Sequence, residues 1–205
     1  MSPIDCMWFL NDDQGYRQST VNRVFPDLIR TMNLNIKQFR SRFQKDNLLK
    51  QLTEESPFLV WIRMPGQATV TGTKQDVHNS RFVASIFRIR LQQNKPCIVE
   101  SSVHNALWSQ IAIKELIDEG VVHLDEIRWC NLGIVHPQNS KPSNMKIACV
   151  SNITFPDVCV CACGKSRSEH LMDRKHDLDM FSNTDVRFQE ARELMTNQFL
   201  CVFFV

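Results

Sequence analysis

Soft metal donors crowd one stretch of this chain. Cys159, Cys161 and Cys163 stand at alternate positions, Gly164 follows directly, and His170 comes seven residues after the last thiol. Thiolate sulfur and imidazole nitrogen are the donors zinc takes in tetrahedral structural sites. The spacing sets a condition. Side chains two apart on a regular strand lie roughly 6.5 to 7 Å from one another, whereas two sulfurs on one zinc, each about 2.3 Å from it, lie within roughly 4 Å. The thiols therefore share an ion only where the backbone folds at Ala162-Cys163-Gly164, and glycine makes such a fold easy. Two of the three thiols, His170 and a fourth donor from Cys149 or His176 would complete the set. Zinc held this way staples the region, because its binding free energy becomes folding free energy. The alternative is plain burial, since free cysteine packs as a small hydrophobe. The three thiols would then line one side of a strand, with Val158, Val160 and Ala162 on the other.

A second chemistry is electrostatic. The chain as a whole is only +2, yet residues 1–100 carry 14 Lys+Arg against 9 Asp+Glu, and residues 101–205 carry 10 against 13. Residues 14–53 hold eight basic side chains, Lys37, Arg40, Arg42 and Lys45 among them, against Asp27 and Asp46 alone. A field of that sign attracts phosphates or acidic partners. Arg88 and Arg90 alternate with Phe87, Ile89 and Leu91, which reads as the wet face of a strand and extends the positive surface. Lys37, Arg40, Arg42, Lys45, Arg88 and Arg90 are thus the candidate nucleic-acid contacts, with Phe58, Trp61 and Trp108 as stacking surfaces. The simpler account of the same charges is a solvated helix face.

Catalytic arrangements are weaker. Cys130 and His136 would lie about 20 Å apart along a strand and so would not meet. Asp118-Glu119 and Asp125-Glu126 pair carboxylates of the kind a hard cation uses, but both pairs fall where elements end. Gly72-Thr73-Lys74 lacks the Gly-Lys-Thr order and the strand-to-helix setting of a phosphate-binding loop. No catalytic residue is assigned.

Elements must position these groups. Leu28, Met32, Ile36, Phe39 and Phe43 recur at helical steps and predict a basic amphipathic helix ending near Leu52, with Asn33 to Asn35 as a break point. Phe58 to Ile62, Arg81 to Leu91 and Cys97 to Val99 read as strands. Ser101 and Ser102 look like N-caps of a helix over 103–119, which Gly120 ends. Strands are expected at 120–124, 127–135 and 145–153, the last two joined by a polar loop with two prolines. An amphipathic helix near Val186 to Met195 precedes the apolar end, Phe199 to Val205. Those seven apolar residues demand cover, from the domain's own sheet or from a partner.

The fold class expected is α+β: an N-terminal basic helical segment (1–55) on a mostly antiparallel sheet with one long helix (56–155), then a Cys/His-rich subregion (156–205), all in one domain. Apolar content of 43% and charged content of 22% sit near the globular norm and exclude a disordered chain. No run reaches the roughly 18 apolar residues of a membrane span. The first residues lack a basic leader region, so an intracellular location is expected, where the eight cysteines stay reduced. The function expected is non-enzymatic: a zinc-stabilised binding or regulatory protein acting on nucleic acid or a protein partner. Two alternatives stay open, an enzyme using a cysteine nucleophile or a carboxylate-bound metal, and a component of an assembly that oligomerises through residues 199–205.

Overall fold

A computed structural model describes residues 7–10, 31–34, 41–64, 74–128, 130 and 146–154. In chain order these form β1 (Met7–Leu10), β2 (Thr31–Leu34), α1 (Arg42–Glu55), β3 (Leu59–Arg63), α2 (Lys74–Gln92), β4 (Cys97–Ser102), a 3-10 turn (Ala106–Ser109), α3 (Ile111–Asp118), β5 (His123–Arg128) and β6 (Lys146–Ser151). Helices packed with a sheet give the expected mixed class. The strand order is β2-β1-β3-β4-β6-β5. Contacts gather the chain into two compact units, residues 1–124 with 148–154, and residues 125–147 with 155–205.

In the first unit the sheet departs from the mostly antiparallel arrangement that the sequence predicts. β1 pairs in parallel with both β2 and β3, and β3 pairs in parallel with β4, with Met7 opposite Leu59 and Val60 opposite Cys97. The physical reason is legible afterwards: β1 (Met-Trp-Phe-Leu) and the first four residues of β3 (Leu-Val-Trp-Ile) are buried throughout. Continuous apolar runs mark strands covered on both faces, as parallel strands are. Asn152, just past β6, accepts from the Cys97 N–H at 2.7 Å and donates to Lys95 O at 2.9 Å. The end of β6 therefore lies beside the start of β4, the two strands run in opposite directions, and the sheet is mixed.

Connectivity decides which helices become neighbours. The steps β2-α1-β3 and β3-α2-β4 advance the same way across the sheet, and right-handed crossovers then put α1 and α2 on one face. One apolar cluster joins them: Leu48 and Leu52 of α1, Phe82, Val83, Ile86 and Phe87 of α2, and Ile113 and Leu116 of α3 all pack over Trp8, Val60, Ile62 and Val99. Among the described residues no helix is long and apolar enough to cross a membrane.

Several predicted elements change place. Residues 81–91 belong to α2, not to a strand, because Val83, Ile86, Phe87 and Arg90 are buried at helical spacing. The short alternation of Phe87, Ile89 and Leu91 has a strand's period, while Phe87 and Leu91, four apart, also share a helical face, and only the longer window separates the two readings. Thr31–Leu34 is a strand within the stretch read as helix, and Phe43 of that stripe is 72% exposed. The helix α1 starts at Ser41, whose hydroxyl accepts from Gln44 N while the Gln44 side chain accepts from Ser41 N, a capping box. Ser101 caps no helix, since it lies within β4 and its hydroxyl donates to Met64 O at 2.9 Å. Asn105 caps the 3-10 turn instead, and α3 begins only at Ile111. Gly120 closes the segment at φ 69°, as its sequence position predicts.

In the second unit, Asp125 to Arg128 of β5 and the opening of β6 are described, and Lys146 Nζ meets Glu126 Oε2 at 2.9 Å. Strands are predicted at 120–124 and 127–135; a strand from His123 to Arg128 spans their junction, and residues 129 and 131–135 lie outside the described residues. β6 falls inside the predicted 145–153.

Candidate functional site

Because α1 and α2 lie side by side, one turn-spaced row from each faces a shared groove of about 630 Å³. Arg42, Lys45, Asp46 and Leu49 come from α1, and His78, Arg81, Phe82 and Ser85 from α2. Each set repeats at i, i+3, i+4 and i+7, the spacing of one helical face. Leu49 and Phe82 pack in or against the core cluster and make an apolar floor. Among the described residues the walls are cationic, with three basic side chains and an imidazole set against one carboxylate.

Lys45 is central to the groove. Its ammonium donates to Asn79 Oδ1 at 3.4 Å and stands 5.3 Å from the centre of the Phe82 ring. Partial burial removes water from it and lowers its pKa below the ordinary 10.5. A neutral amide and a ring face compensate a cation less than an anion does, so this charge gains from any phosphate or carboxylate that enters. Arg42 reaches Asp46 at 3.7 Å with side chains 97% and 62% exposed. Such a solvated pair is weak and yields readily to a better acceptor.

Of the predicted nucleic-acid contacts, the structure brings Arg42 and Lys45 into this groove, and Lys37 and Arg40 lie outside the described residues. Arg88 sits elsewhere on α2, exposed and paired with Glu119 at 3.2 Å. Arg90 requires a correction, because it is 0% exposed and faces no solvent. Its Nη2 donates to the carbonyls of Pro57 at 2.5 Å and Phe58 at 2.9 Å, with Pro96 O at 3.4 Å, and its Nη1 donates to Gln93 Oε1 at 2.7 Å. Burial pushes its pKa down to about 10, with the nearby Cys97 acting the other way. Trp61 also fails as a stacking surface for a ligand, because it is buried with its ring centroid 6.5 Å from that of Phe9; Phe58 is half-buried, and its backbone carbonyl accepts from Arg90. Two groove residues, His78 and Arg81, escaped the sequence reading. The signal was their i, i+3 spacing, and assigning the strand at Arg81 concealed it.

At the carboxyl end of the parallel strands Glu100 is 5% exposed. Its carboxylate accepts from Trp61 Nε1 at 3.1 Å and lies 3.8 Å from Arg63 Nε. The register places Glu100 opposite Arg63, so this buried charge is neutralised by its cross-strand neighbour and serves the sheet.

Cys159, Cys161, Cys163 and His170, with His176, lie outside the described residues. Cys149, offered as a fourth donor, is buried in β6. Among the described residues no group of three or more Cys, His, Asp or Glu is placed to hold a metal. Cys97 is a buried free thiol, and Cys130 and Cys149 are buried. Burial pushes the Cys97 thiol up to about 12, Arg90 acting the other way, which leaves it neutral and unreactive near pH 7.

Comparison with known proteins returns no match: no family model fits the chain, and no curated protein or solved structure is significantly similar to it. The site must be interpreted from its own chemistry.

Proposed function

We propose that this protein is a non-enzymatic binder of nucleic acid that holds phosphates in the groove between α1 and α2. The observation that carries this reading is the groove itself: among the described residues Arg42, Lys45, Arg81 and His78 line it against Asp46 alone. Phosphate contacts supply most of the sequence-independent affinity for nucleic acid, and each neutralised phosphate releases condensed counterions. An apolar floor under cationic walls also suits a sugar-phosphate strand, which presents charged and uncharged surface in turn.

The test is salt dependence. The logarithm of the affinity for a generic duplex falls with the logarithm of salt at a slope of about −0.9 per neutralised phosphate, and about −0.7 for single strands. Changing Arg42, Lys45 and Arg81 together to Gln should flatten that slope by about two to three. Unchanged affinity and slope in the triple variant would remove the groove from the function. A polyanionic peptide that competes at equal charge, while nucleic acid binds no better, would move the reading to an acidic protein partner.

The thiols Cys159, Cys161 and Cys163 with His170 add a zinc staple to this reading, on donor chemistry alone. It predicts about one zinc per chain and loss of folded structure in the C-terminal part on chelation. Metal-free protein with an unchanged circular dichroism spectrum would reject it.

A further inference from the structure

We propose that the cleft just past the carboxyl end of β4 is a second binding site, separate from the helix groove, for a planar aromatic group that carries a phosphate, in other words one nucleotide unit. In open sheets of parallel strands, ligands settle outside the carboxyl ends, where strand termini and the loops leading to helices make a crevice. Here β4 ends at Ser102, and the turn and helix that follow border a shallow, open cleft of about 420 Å³ lined by His104, Asn105, Trp108 and Lys114 among others. That volume falls in the range of about 300–1,000 Å³ usual for small-molecule sites.

Its parts are set in place before any ligand arrives. The Asn105 side chain donates to Ser101 Oγ at 2.6 Å and accepts from Leu107 N at 2.8 Å, and Ser101 Oγ in turn donates to Met64 O. The turn is thereby tied back to β3. Trp108 Nε1 donates to Ser102 O at 2.7 Å, which fixes the plane of the indole. Part of that ring packs on the core cluster and part lines the cleft, so a half-buried aromatic face is held still beside solvent. Rigid indole faces stack with any nucleobase, because every base has a π-face.

Charge completes the site. Lys114 and His104 are exposed at the rim, and neither side chain makes a hydrogen bond or ion pair among the described residues. Among the described residues no carboxylate lines the cleft. One ammonium and one imidazole beside a fixed indole match a phosphate attached to a base. Inorganic phosphate lacks the stacking partner, and a nucleoside lacks the charge. A free nucleoside monophosphate and one unit of a single strand present the same chemistry.

Tryptophan emission tests this in the full chain. Trp8 and Trp61 are each 1% exposed and cannot stack on a ligand, and the fourth tryptophan, Trp129, lies outside the described residues. AMP or UMP should quench the protein through Trp108, so Trp129→Phe should leave the quench in place. Trp108→Phe should abolish the quench, and Lys114→Gln should weaken binding about tenfold, with Lys114→Arg restoring it. Adenosine and inorganic phosphate at the same concentration should leave the emission unchanged. Absence of a quench by mononucleotide and by single strand alike would overturn the proposal, as would a quench that survives both Trp108→Phe and Lys114→Gln. Lys114 is on the surface, so its variants keep the fold even where a change at Trp108 harms it. A single strand of about eight nucleotides, tested on the Arg42, Lys45 and Arg81 triple variant, identifies the source. Quenching by the strand alone assigns a strand unit, and quenching by mononucleotide alone assigns a free nucleotide. Failure here leaves the groove standing, and failure of the groove leaves this cleft standing.

Discussion

The helix α2 carries cations into two regions that treat the same chemistry in opposite ways. Toward its N-terminus, His78 and Arg81 face the groove with Arg42 and Lys45 of α1, and among the described residues no cluster of backbone carbonyls receives them. Toward its C-terminus, Arg90 is sealed against the carbonyls of Pro57, Phe58 and Pro96. Its neighbours continue that work: Gln93 Nε2 donates to Leu52 O and Thr53 O at the end of α1, and Lys95 Nζ donates to Ser56 O. Carbonyls at a helix C-terminus have no partner inside the helix and carry the negative end of its dipole, so donors and cations belong there. A buried cation with its acceptors built in is architecture. A cation left with weak or neutral partners is available to a ligand. Charge on the sequence does not separate these cases, and the acceptors around each guanidinium or ammonium do.

The comparison breaks most visibly at Arg90. Arg90→Met keeps the volume of the stem but takes the guanidinium donor from the Pro57 and Phe58 carbonyls, and it should lower unfolding free energy by about 3 kcal/mol, measured by urea denaturation. The surviving folded fraction should bind nucleic acid with an unchanged salt slope. In the groove the outcome reverses. The triple change of Arg42, Lys45 and Arg81 to Gln should alter stability by less than about 1 kcal/mol, while affinity for a generic duplex at moderate salt falls by about ten- to a hundredfold. If Arg90→Met is neutral to folding and harmful to binding, the two regions have been assigned the wrong way round.

Local pattern revealed part of this and concealed the rest for definite reasons. The cores of β3, β4 and β6 were readable as apolar runs between polar or proline punctuation. β1 was not, because Met7 to Leu10 is only four residues long, and its burial depends on β2 and β3 pairing on either side. The alternation around Arg88 and Arg90 misled through a short window, as both helix and strand periods fit five residues. Arg42 and Lys45 were legible as members of a basic segment. The groove was not, since it exists only where crossover topology lays α2 beside α1, and no spacing within one segment encodes that. Lys37, Arg40, Cys159, Cys161, Cys163 and His170 lie outside the described residues.

Lys45 sharpens the groove's side of the comparison through pH. Burial holds its pKa below the ordinary 10.5, so the folded, empty groove disfavours the charged form. A bound phosphate favours that form and raises the pKa again. Binding therefore takes up a proton once pH exceeds the lowered value, and affinity declines as pH rises from there toward 10.5. Lys45→Arg, which stays charged throughout, should hold its affinity across that window. Because Arg42, Asp46, His78 and Arg81 are the same in both proteins, the difference between the two curves belongs to position 45. Parallel curves would mean that Lys45 does not touch the anion.

The smallest effect is expected at Arg88, which lies between the two regions on α2. Its guanidinium meets Glu119 at 3.2 Å, but the two side chains are 51% and 46% exposed. Water solvates both partners nearly as well apart as together, so Arg88→Gln should cost no more than about 0.5 kcal/mol. It lines neither the groove nor the buried cluster, so the salt slope for nucleic acid should stay as in the parent. A drop in slope of about one would extend the phosphate path along α2 beyond the groove. A loss of stability approaching that of Arg90→Met would show that exposure has failed to predict which cations hold the fold, and the distinction between architectural and available charge would fall with it.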